Sequence, residues 1–366
     1  MTVDHRRQLT PADMTEGSMP HQADATDTRT PIALAIGDPA GIGPELAAML
    51  AADKEVRAAA RLVIVGDRRV LEWGAADAGV TLDLDSDLDT SGPAGTAAPS
   101  GKPVLVDLGH LDPDRIERGV ASATGGRFAL DNFTACLRMA QAGQVAAVCF
   151  TPFNKAAMRM AHPSYEDEIG FTASVLGTNV VASEFNVLDR LWNARVTSHV
   201  PLSAVAGLIT TERVLAGLRL TDRALRESGL DAPRIAVAGL NPHAGDGGNF
   251  GHEDDAVIRP AVEQGQAEGI GAKGPFPPDT VFVRANRGDF DAVLTMYHDQ
   301  GQIAMKLIGF DRGVTVLGGF PFPICTPAHG SAYDIAGKGM ASGGASKAAV
   351  LLAARMGRRS GTRAVA

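Results

Sequence analysis

The sequence predicts an α/β protein built on a largely parallel sheet. Short apolar runs rich in β-branched residues alternate with helical patterns along most of the chain, which is typical of strand–helix–strand units. The 366 residues are 45% hydrophobic and 21% charged, an ordinary balance for a globular protein with a sizeable core. The sequence shows no repeat of fixed period, which argues against solenoids and propellers.

The predicted elements alternate along the chain. The predicted strands are short apolar runs bounded by turn residues, at 32–36, 61–65, 104–107, 146–150, 195–198, 234–238, 292–295 and 314–317. The predicted helices have apolar residues at helical spacing, at 44–52, 121–142, 211–227, 254–268 and 345–356. In the third helix, Val214, Leu215, Leu218 and Leu225 form one apolar face with charged residues between them.

The folded region is expected to span residues 31–356. Residues 1–30 are polar and aperiodic and lack the apolar segment of a signal peptide, so we expect a disordered arm. A stretch rich in Gly, Pro, Ala and Ser at 91–102 predicts a loop between ordered elements. Residues 357–366 are expected to form a loose tail.

Charge and composition argue against several classes of function. Lys and Arg number 34 against 42 Asp and Glu, a net charge of −8, so we do not expect the basic face that nucleic acid requires. No apolar run approaches the ~18 residues of a membrane span. The three cysteines, Cys136, Cys149 and Cys325, are far apart and odd in number, which argues against a disulfide framework and indicates a cytoplasmic compartment.

Two glycine-rich loops adjoin predicted elements, where α/β sheets collect ligands. The string GDPAGIGPE at 37–45 follows the first strand, and free N–H groups at the helix start would favour an anion or a dinucleotide. Its spacing is not G-x-G-x-x-G, so a tight turn without a ligand is the alternative. The string AHGSAYDIAGKG at 328–339 precedes the last helix and suits an adenosine or a phosphate, with a plain connecting loop as the alternative.

Three histidines are predicted to follow the ends of strands. His199 ends the string TSH at 197–199, His243 lies in NPHAGDGG at 241–248, and His298 lies in MYHDQG at 296–301. Imidazoles brought to one edge of a parallel sheet can bind a divalent cation and leave a position open for substrate. The alternatives are a buried core histidine for His243, and a base or a salt-bridged pair with Asp299 for His298.

Taken together, these strings resemble the 4-hydroxythreonine-4-phosphate dehydrogenase (PdxA) family, a branch of the β-hydroxyacid oxidative decarboxylases. They match the family in order along the chain, and the resemblance covers residues 31 to 356. It implies an isopropylmalate-dehydrogenase-like fold, in which two interleaved α/β subdomains flank a central cleft. It also implies a homodimer in which both subunits build each active site.

The resemblance implies roles for individual residues. It makes His199, His243 and His298 the ligands of one divalent metal, which could be Zn, Co, Mn, Ni or Mg. It places Lys306 against the substrate and Asp279 and Asp299 in the active site. The two glycine-rich loops would hold NAD or NADP through Gly37, Asp38, Gly41, Gly43, His329, Gly330, Ser331, Ala332 and Asp334.

The sequence departs from the family at the substrate contacts. The family's Gly-His-Thr contact falls on Asp167-Glu168-Ile169, and its substrate-binding Asn and Arg fall on Thr315 and Ile324. These changes remove neutral and cationic donors and add an acceptor, so a phosphorylated anion should bind poorly. We therefore expect a divergent member with a different substrate, such as the carboxylate of a cis-dihydrodiol (terephthalate dihydrodiol type) or a sugar-acid phosphate.

The expected reaction is the metal-assisted oxidation of a hydroxyl of a β-hydroxy acid by NAD(P)⁺, followed by loss of CO₂. Lys306 and the metal would stabilise the enolate charge, and Asp279, Asp299 or Lys155 would supply a proton. Two alternatives stay open on the same fold, a phosphate acyltransferase that uses no NAD and a non-catalytic binding protein.

Overall fold

An eleven-stranded sheet runs through the computed structural model, which describes residues 29–85 and 101–363. Its strands are β1 (Thr30–Ala35), β2 (Ala60–Gly66), β3 (Val104–Asp107), β4 (Ala147–Phe150), β5 (Ser183–Leu188), β6 (Leu191–Arg195), β7 (Ile235–Ala238), β8 (Ala272–Phe276), β9 (Ala292–Thr295), β10 (Val314–Gly318) and β11 (Ile324–Pro327). Their order across the sheet is β3-β2-β1-β4-β11-β10-β5-β6-β9-β7-β8.

The two ends of the sheet are parallel and its centre is antiparallel. β1 pairs in parallel with β2 and β4, and β9 pairs in parallel with β6 and β7. Between these ends, β10 runs antiparallel to β11 and to β5, and β5 and β6 form an antiparallel hairpin. Two parallel halves are thus joined through antiparallel strands, and the predicted α/β class is confirmed.

Helices pack against the sheet in the described ranges. They are α1 (Gly43–Ala52), α2 (Lys54–Ala59), α3 (Arg68–Ala78), α4 (Ala123–Gln141), α5 (Lys155–Ala161), α6 (Glu168–Leu176), α7 (Leu202–Leu208), α8 (Thr211–Ser228), α9 (Arg259–Ala267), α10 (Pro278–Asn286), α11 (His298–Gly309) and α12 (Gly344–Arg363). Several begin at side-chain caps, as when Ser122 accepts a hydrogen bond from the Gly125 N–H and starts α4. Within the described ranges, no helix is both long enough and apolar enough to cross a bilayer.

Three strands of the structure were not predicted, because their composition interrupts the apolar pattern of a strand. The apolar-run pattern does not predict β5, β8 or β11, since polar residues, glycine or proline interrupt each of them. The strand predicted at 195–198 is also misplaced, because β6 ends at Arg195. All three cysteines are free and buried.

The predicted chain ends are only partly tested. The predicted arm lies outside the described residues except for Arg29 and Thr30, and Thr30 already begins β1. The predicted loop at 91–102 also lies outside them, apart from its last two residues. The loose tail is wrong for residues 357–363, which continue α12. Gly357 permits this packing, because a Cβ atom there would lie 3.0 Å from Thr30 Cγ2 and 3.1 Å from Ala146 Cβ.

Replacing Gly126 by alanine should destabilise the fold. A Cβ atom at this position of α4 would lie 1.9 Å from the carbonyl oxygen of Ala157, and the backbone of α5 cannot move aside without disturbing the core. We expect Gly126→Ala to lower the free energy of unfolding by about 3 kcal/mol, measured by urea denaturation. Gly207→Ala is the control, because its Cβ would meet nothing within 4 Å, and equal stability of both variants would contradict this packing.

Candidate active site

The carboxyl ends of β6, β9 and β7 are joined at one edge of the sheet. The backbone N–H and the hydroxyl of Thr197, which follows β6, both donate to the carbonyl of Met296, which follows β9. The side chain of Gln300 accepts from the Met296 N–H at 2.7 Å and donates to the Gly239 carbonyl, beyond β7, at 2.8 Å. These bonds fix the ends of three neighbouring strands relative to one another.

His199 and His298 meet at this edge. Their ring centroids lie 5.5 Å apart, and both side chains line a cavity of about 390 Å³. The Nδ1 atom of His298 lies 2.7 Å from Asp299 Oδ1. This contact orients the ring and leaves Nε2 for a ligand, as carboxylates do for metal-binding histidines.

His199 and His243 both adopt a left-handed backbone conformation. Their φ angles are 49° and 55°, in a region that costs a non-glycine residue roughly 1–2 kcal/mol. Such outliers concentrate at functional sites, where the surrounding structure holds them in place. Around His243, the whole stretch from 243 to 247 is left-handed and forms a tight turn after β7.

One chain does not complete the predicted metal triad. His243 is exposed and lies near Phe250, with ring centroids 6.0 Å apart. Within residues 29–85 and 101–363, no three His, Cys, Asp or Glu side chains lie close enough together to hold a metal ion. The structure therefore brings together two of the predicted ligands, His199 and His298, and places the third on an exposed loop. Asp279 is also exposed, at the start of α10, which packs against residues 242–248.

Asp254 should be essential for the turn that carries His243. Its buried carboxylate accepts hydrogen bonds from the N–H groups of Leu240 and Asn241 and from the Asn241 amide. We expect Asp254→Ala to leave the two backbone N–H groups without this acceptor and to lower the free energy of unfolding by about 3 kcal/mol, measured by urea denaturation. Asp255→Ala is the control, since its exposed carboxylate pairs with Arg259 on the surface, and an equal loss there would contradict this role.

A second cavity, of about 290 Å³, lies where the two halves of the sheet meet. Four of the predicted catalytic and substrate-binding residues line it, namely Lys155, Glu168, Lys306 and Thr315. Lys155 Nζ lies 3.3 Å from Glu168 Oε2, and the Glu168 side chain is 12% exposed. His329 and Gly330 border the same cavity, so the last glycine-rich loop adjoins the predicted substrate contacts.

Two predicted substrate contacts are absent from this cavity. Ile324 is fully buried in β11 and belongs to an apolar cluster, and Ile169 packs against that same cluster. Burying an aliphatic side chain removes it from water at a gain of about 2 kcal/mol, so these apolar replacements turn into the core. Neither Ile169 nor Ile324 lines the 290 Å³ cavity, and their contact with substrate stays a prediction.

Strands β5 and β6 add a polar network that the sequence patterns do not predict. The guanidinium of Arg195 contacts the Glu184 carboxylate and donates to Asn186 Oδ1 at 3.1 Å, and Gln302 donates to the same oxygen at 2.7 Å. Burial lowers the pKa of Arg195, and the ion pair with Glu184 opposes that shift. Glu184, Asn186 and Gln302 line the 290 Å³ cavity. The polar residues Asn193 and Arg195 in the short strand β6 were the available signal, but its partner strand β5 was not predicted.

The first glycine-rich loop is buried against other loops of the protein. Its predicted cofactor contacts are all buried, namely Gly37, Asp38, Gly41 and Gly43. A Cβ atom on Gly37 would lie 2.3 Å from the Thr151 carbonyl oxygen, and one on Gly41 would lie 2.5 Å from that of Ser331. These glycines permit close contact between protein loops. Contact of these four residues with a cofactor stays a prediction.

Two buried acids hold the second loop. The Tyr333 hydroxyl donates to Asp38 Oδ2, and the Gly337 N–H donates to Glu45 Oε1 at 2.7 Å. Burial raises the pKa of Asp38, and the hydrogen bond from Tyr333 opposes that rise. Among the predicted cofactor contacts of this loop, Ser331 is buried, His329 and Ala332 are half-buried, and Gly330 and Asp334 are exposed.

Comparison with known proteins gives one consistent result. The model of the family "Pyridoxal phosphate biosynthetic protein PdxA" matches residues 58–353. A relative from Rhizobium meliloti, named "Putative 4-hydroxythreonine-4-phosphate dehydrogenase 2", is 58% identical over 339 residues, which are 92% of this chain and 96% of the relative.

Solved structures agree with that match. The 4-hydroxythreonine-4-phosphate dehydrogenase of Klebsiella pneumoniae has a TM-score of 0.78 at 33% identity, with 90% of this chain and 99% of that chain covered. A terephthalate 1,2-cis-dihydrodiol dehydrogenase from Burkholderia xenovorans has a TM-score of 0.65 at 28% identity, with 89% and 98% covered. The chain therefore belongs to the PdxA family, whose members are dehydrogenases that act on a CH–OH group.

Proposed function

We propose that this chain oxidises a hydroxyl of a non-phosphorylated hydroxy acid with NAD or NADP and a divalent metal, with loss of CO₂, in a site shared by two subunits. The observation that carries the proposal is the meeting of His199 and His298 at the sheet edge, with one ring oriented by Asp299. Family membership supports the reaction class.

The donor set fits a divalent cation that takes its third imidazole from a second copy of the chain. His199 and His298 supply two neighbouring rings, and His243 is exposed on a strained turn at the same edge, where a partner could accept it. Bound there, the metal would act as a Lewis acid on the substrate hydroxyl. Zn, Co, Mn, Ni and Mg are all candidates.

Exposed apolar side chains on the segments that follow His199 and His298 support a subunit interface. Leu202 follows His199 and is 71% exposed, while Ile303 and Leu307, one turn apart on α11, are 60% and 83% exposed. Large exposed apolar groups close together mark surfaces that other molecules cover. A second copy seated here would cover them and bring its own loops to the site.

The chain's own residues suggest how substrate and cofactor are held. His329 and Gly330 of the 329–339 loop border the 290 Å³ cavity, and this loop would hold NAD or NADP. Asp38 and Glu45 fix the loop through their hydrogen bonds with Tyr333 and Gly337. Lys306 would bind the substrate carboxylate and stabilise negative charge as CO₂ leaves. The Lys155–Glu168 pair, 3.3 Å apart, is placed to hold and return a proton.

The charge of the cavity favours a substrate without phosphate. Its lining carries two lysines, Lys155 and Lys306, and two glutamates, Glu168 and Glu184, so it has no excess of positive charge. A phosphate dianion requires clustered cationic donors, whereas one carboxylate with neutral hydroxyls does not. The likeness to a terephthalate 1,2-cis-dihydrodiol dehydrogenase supports a dihydrodiol carboxylate, and a sugar-acid phosphate is the competing substrate.

A substrate panel tests this proposal. Purified protein with NAD⁺ or NADP⁺ is given a cis-dihydrodiol carboxylate, 4-hydroxythreonine or 4-hydroxythreonine 4-phosphate, and the absorbance of the reduced nicotinamide is followed. We expect turnover only with metal present, and faster with the substrates that lack phosphate. A rate unchanged by chelation would refute the role of the metal, and activity confined to the phosphate ester would refute the proposed substrate.

A further inference from the structure

The polar network of β5 and β6 forms part of the wall of the 290 Å³ cavity. Asn186 pairs with Asn193 in the β5–β6 hairpin, and two residues further along each strand Glu184 contacts Arg195. We propose that Glu184, held in place by Arg195, is a specificity-determining residue that makes this cavity prefer a hydroxyl-bearing end of the substrate over a phosphate group. The inference rests on the proposed function and assigns the discrimination to one carboxylate.

The two side chains of the Glu184–Arg195 ion pair differ in their exposure to the cavity. The Glu184 side chain is 17% exposed and lines the cavity, whereas the Arg195 side chain is 1% exposed and is not among the lining residues. A ligand in the cavity therefore meets the carboxylate first. A carboxylate accepts a hydrogen bond from a hydroxyl but repels an anion at close range, and weak screening inside a cavity strengthens that repulsion.

Neutral hydrogen-bonding groups lie beside Glu184. Asn186 Oδ1 receives hydrogen bonds from both Arg195 and Gln302, which fixes the amide and leaves its two N–H groups as donors for a ligand. Thr315 of β10 is paired in register with Asn186 on one side and with Thr326 of β11 on the other. Such a row suits hydroxyl groups, which both donate and accept, better than it suits a phosphate.

The test replaces the charge and keeps the shape. In Glu184→Gln the buried Arg195 loses its counter-charge, so the cavity wall becomes attractive to anions. We expect the ratio of kcat/KM for 4-hydroxythreonine 4-phosphate to that for 4-hydroxythreonine to rise at least ~10-fold, mainly through KM. Calorimetry with inorganic phosphate, which needs no turnover, should show tighter binding than in the unsubstituted protein.

A second variant covers the case in which Glu184→Gln is too unstable to purify. Glu184→Gln combined with Arg195→Met removes both charges at similar volume, a change that buried ion pairs commonly tolerate. It should raise the same ratio less than Glu184→Gln does, because repulsion is lost without a new attraction. Glu268→Gln is the matched control, since Glu268 pairs with Arg219 on the surface, outside the residues that line the cavity, and should leave the ratio unchanged.

The outcomes separate this inference from the proposed function. Equal losses of kcat/KM for both substrates in Glu184→Gln, with phosphate binding unchanged, would show that the residue is only structural and would overturn the inference. If the unsubstituted protein oxidises none of the hydroxy acids, the proposed function fails. The calorimetric comparison with inorganic phosphate would still decide whether Glu184 excludes anions.

Discussion

Replacing His298 by alanine should abolish turnover and leave the fold intact. The His298 ring lies beside His199 and is oriented by Asp299. The side chain is at the start of α11 and is 36% exposed, so its removal costs little packing. Losing one ligand of a Lewis-acid metal removes several kcal/mol of transition-state stabilisation. We therefore expect kcat/KM to fall by about 10³-fold or more. The measurements are reduced-nicotinamide formation, bound metal by elemental analysis, and thermal unfolding.

A histidine away from the site serves as the control for this prediction. His110 is exposed and stacks on Phe128, with ring centroids 4.9 Å apart, and it lines neither the 290 Å³ nor the 390 Å³ cavity. His110→Ala should keep its metal content and its full rate. If His298→Ala also kept its metal content and its full rate, the assignment of His298 as a metal ligand would be wrong.

Most strands in the parallel ends of the sheet were predictable, whereas β5 and β11 in its antiparallel centre were not. Strands β1, β2, β4 and β9 are continuous apolar runs because both of their faces are covered, and such runs are visible in sequence. In β5, Glu184 and Asn186 alternate with apolar residues because one face borders the 290 Å³ cavity. A strand that lines a cavity carries polar residues on that face, so its apolar pattern is weaker there.

The positions of the histidines were predictable, but the partners of each were not. A residue that follows a parallel strand lies at one known edge of the sheet, which is why His199 and His298 could be placed together from sequence. Sequence does not say whether His243 meets them within its own chain or in another. The glycines illustrate the same limit, because Gly37 and Gly41 do require a close approach, yet the approaching group is protein backbone.

Mixed dimers should reveal whether His243 acts across the proposed subunit interface. Chains with His243→Ala and chains with His298→Ala are co-expressed with different affinity tags, and the mixed dimer is isolated by both tags. If His243 serves the partner's site, one site of this dimer combines intact His199 and His298 of one chain with intact His243 of the other. Activity per dimer should then return to about half that of the unsubstituted protein, although each variant alone is inactive.

The reciprocal dimer makes the experiment decisive. It pairs an unsubstituted chain with one that carries both His243→Ala and His298→Ala. The numbers of intact and substituted histidines are therefore the same as in the first mixed dimer. With His243 acting in trans, every site of this dimer lacks one ligand and activity should be absent. If His243 instead acts within its own chain, the reciprocal dimer should be active, because its unsubstituted chain keeps a complete site. The first dimer should then be inactive, because neither of its chains has a complete site. Because the two arrangements predict opposite activities, a loss of protein stability alone could not restore activity in the first dimer and abolish it in the reciprocal dimer.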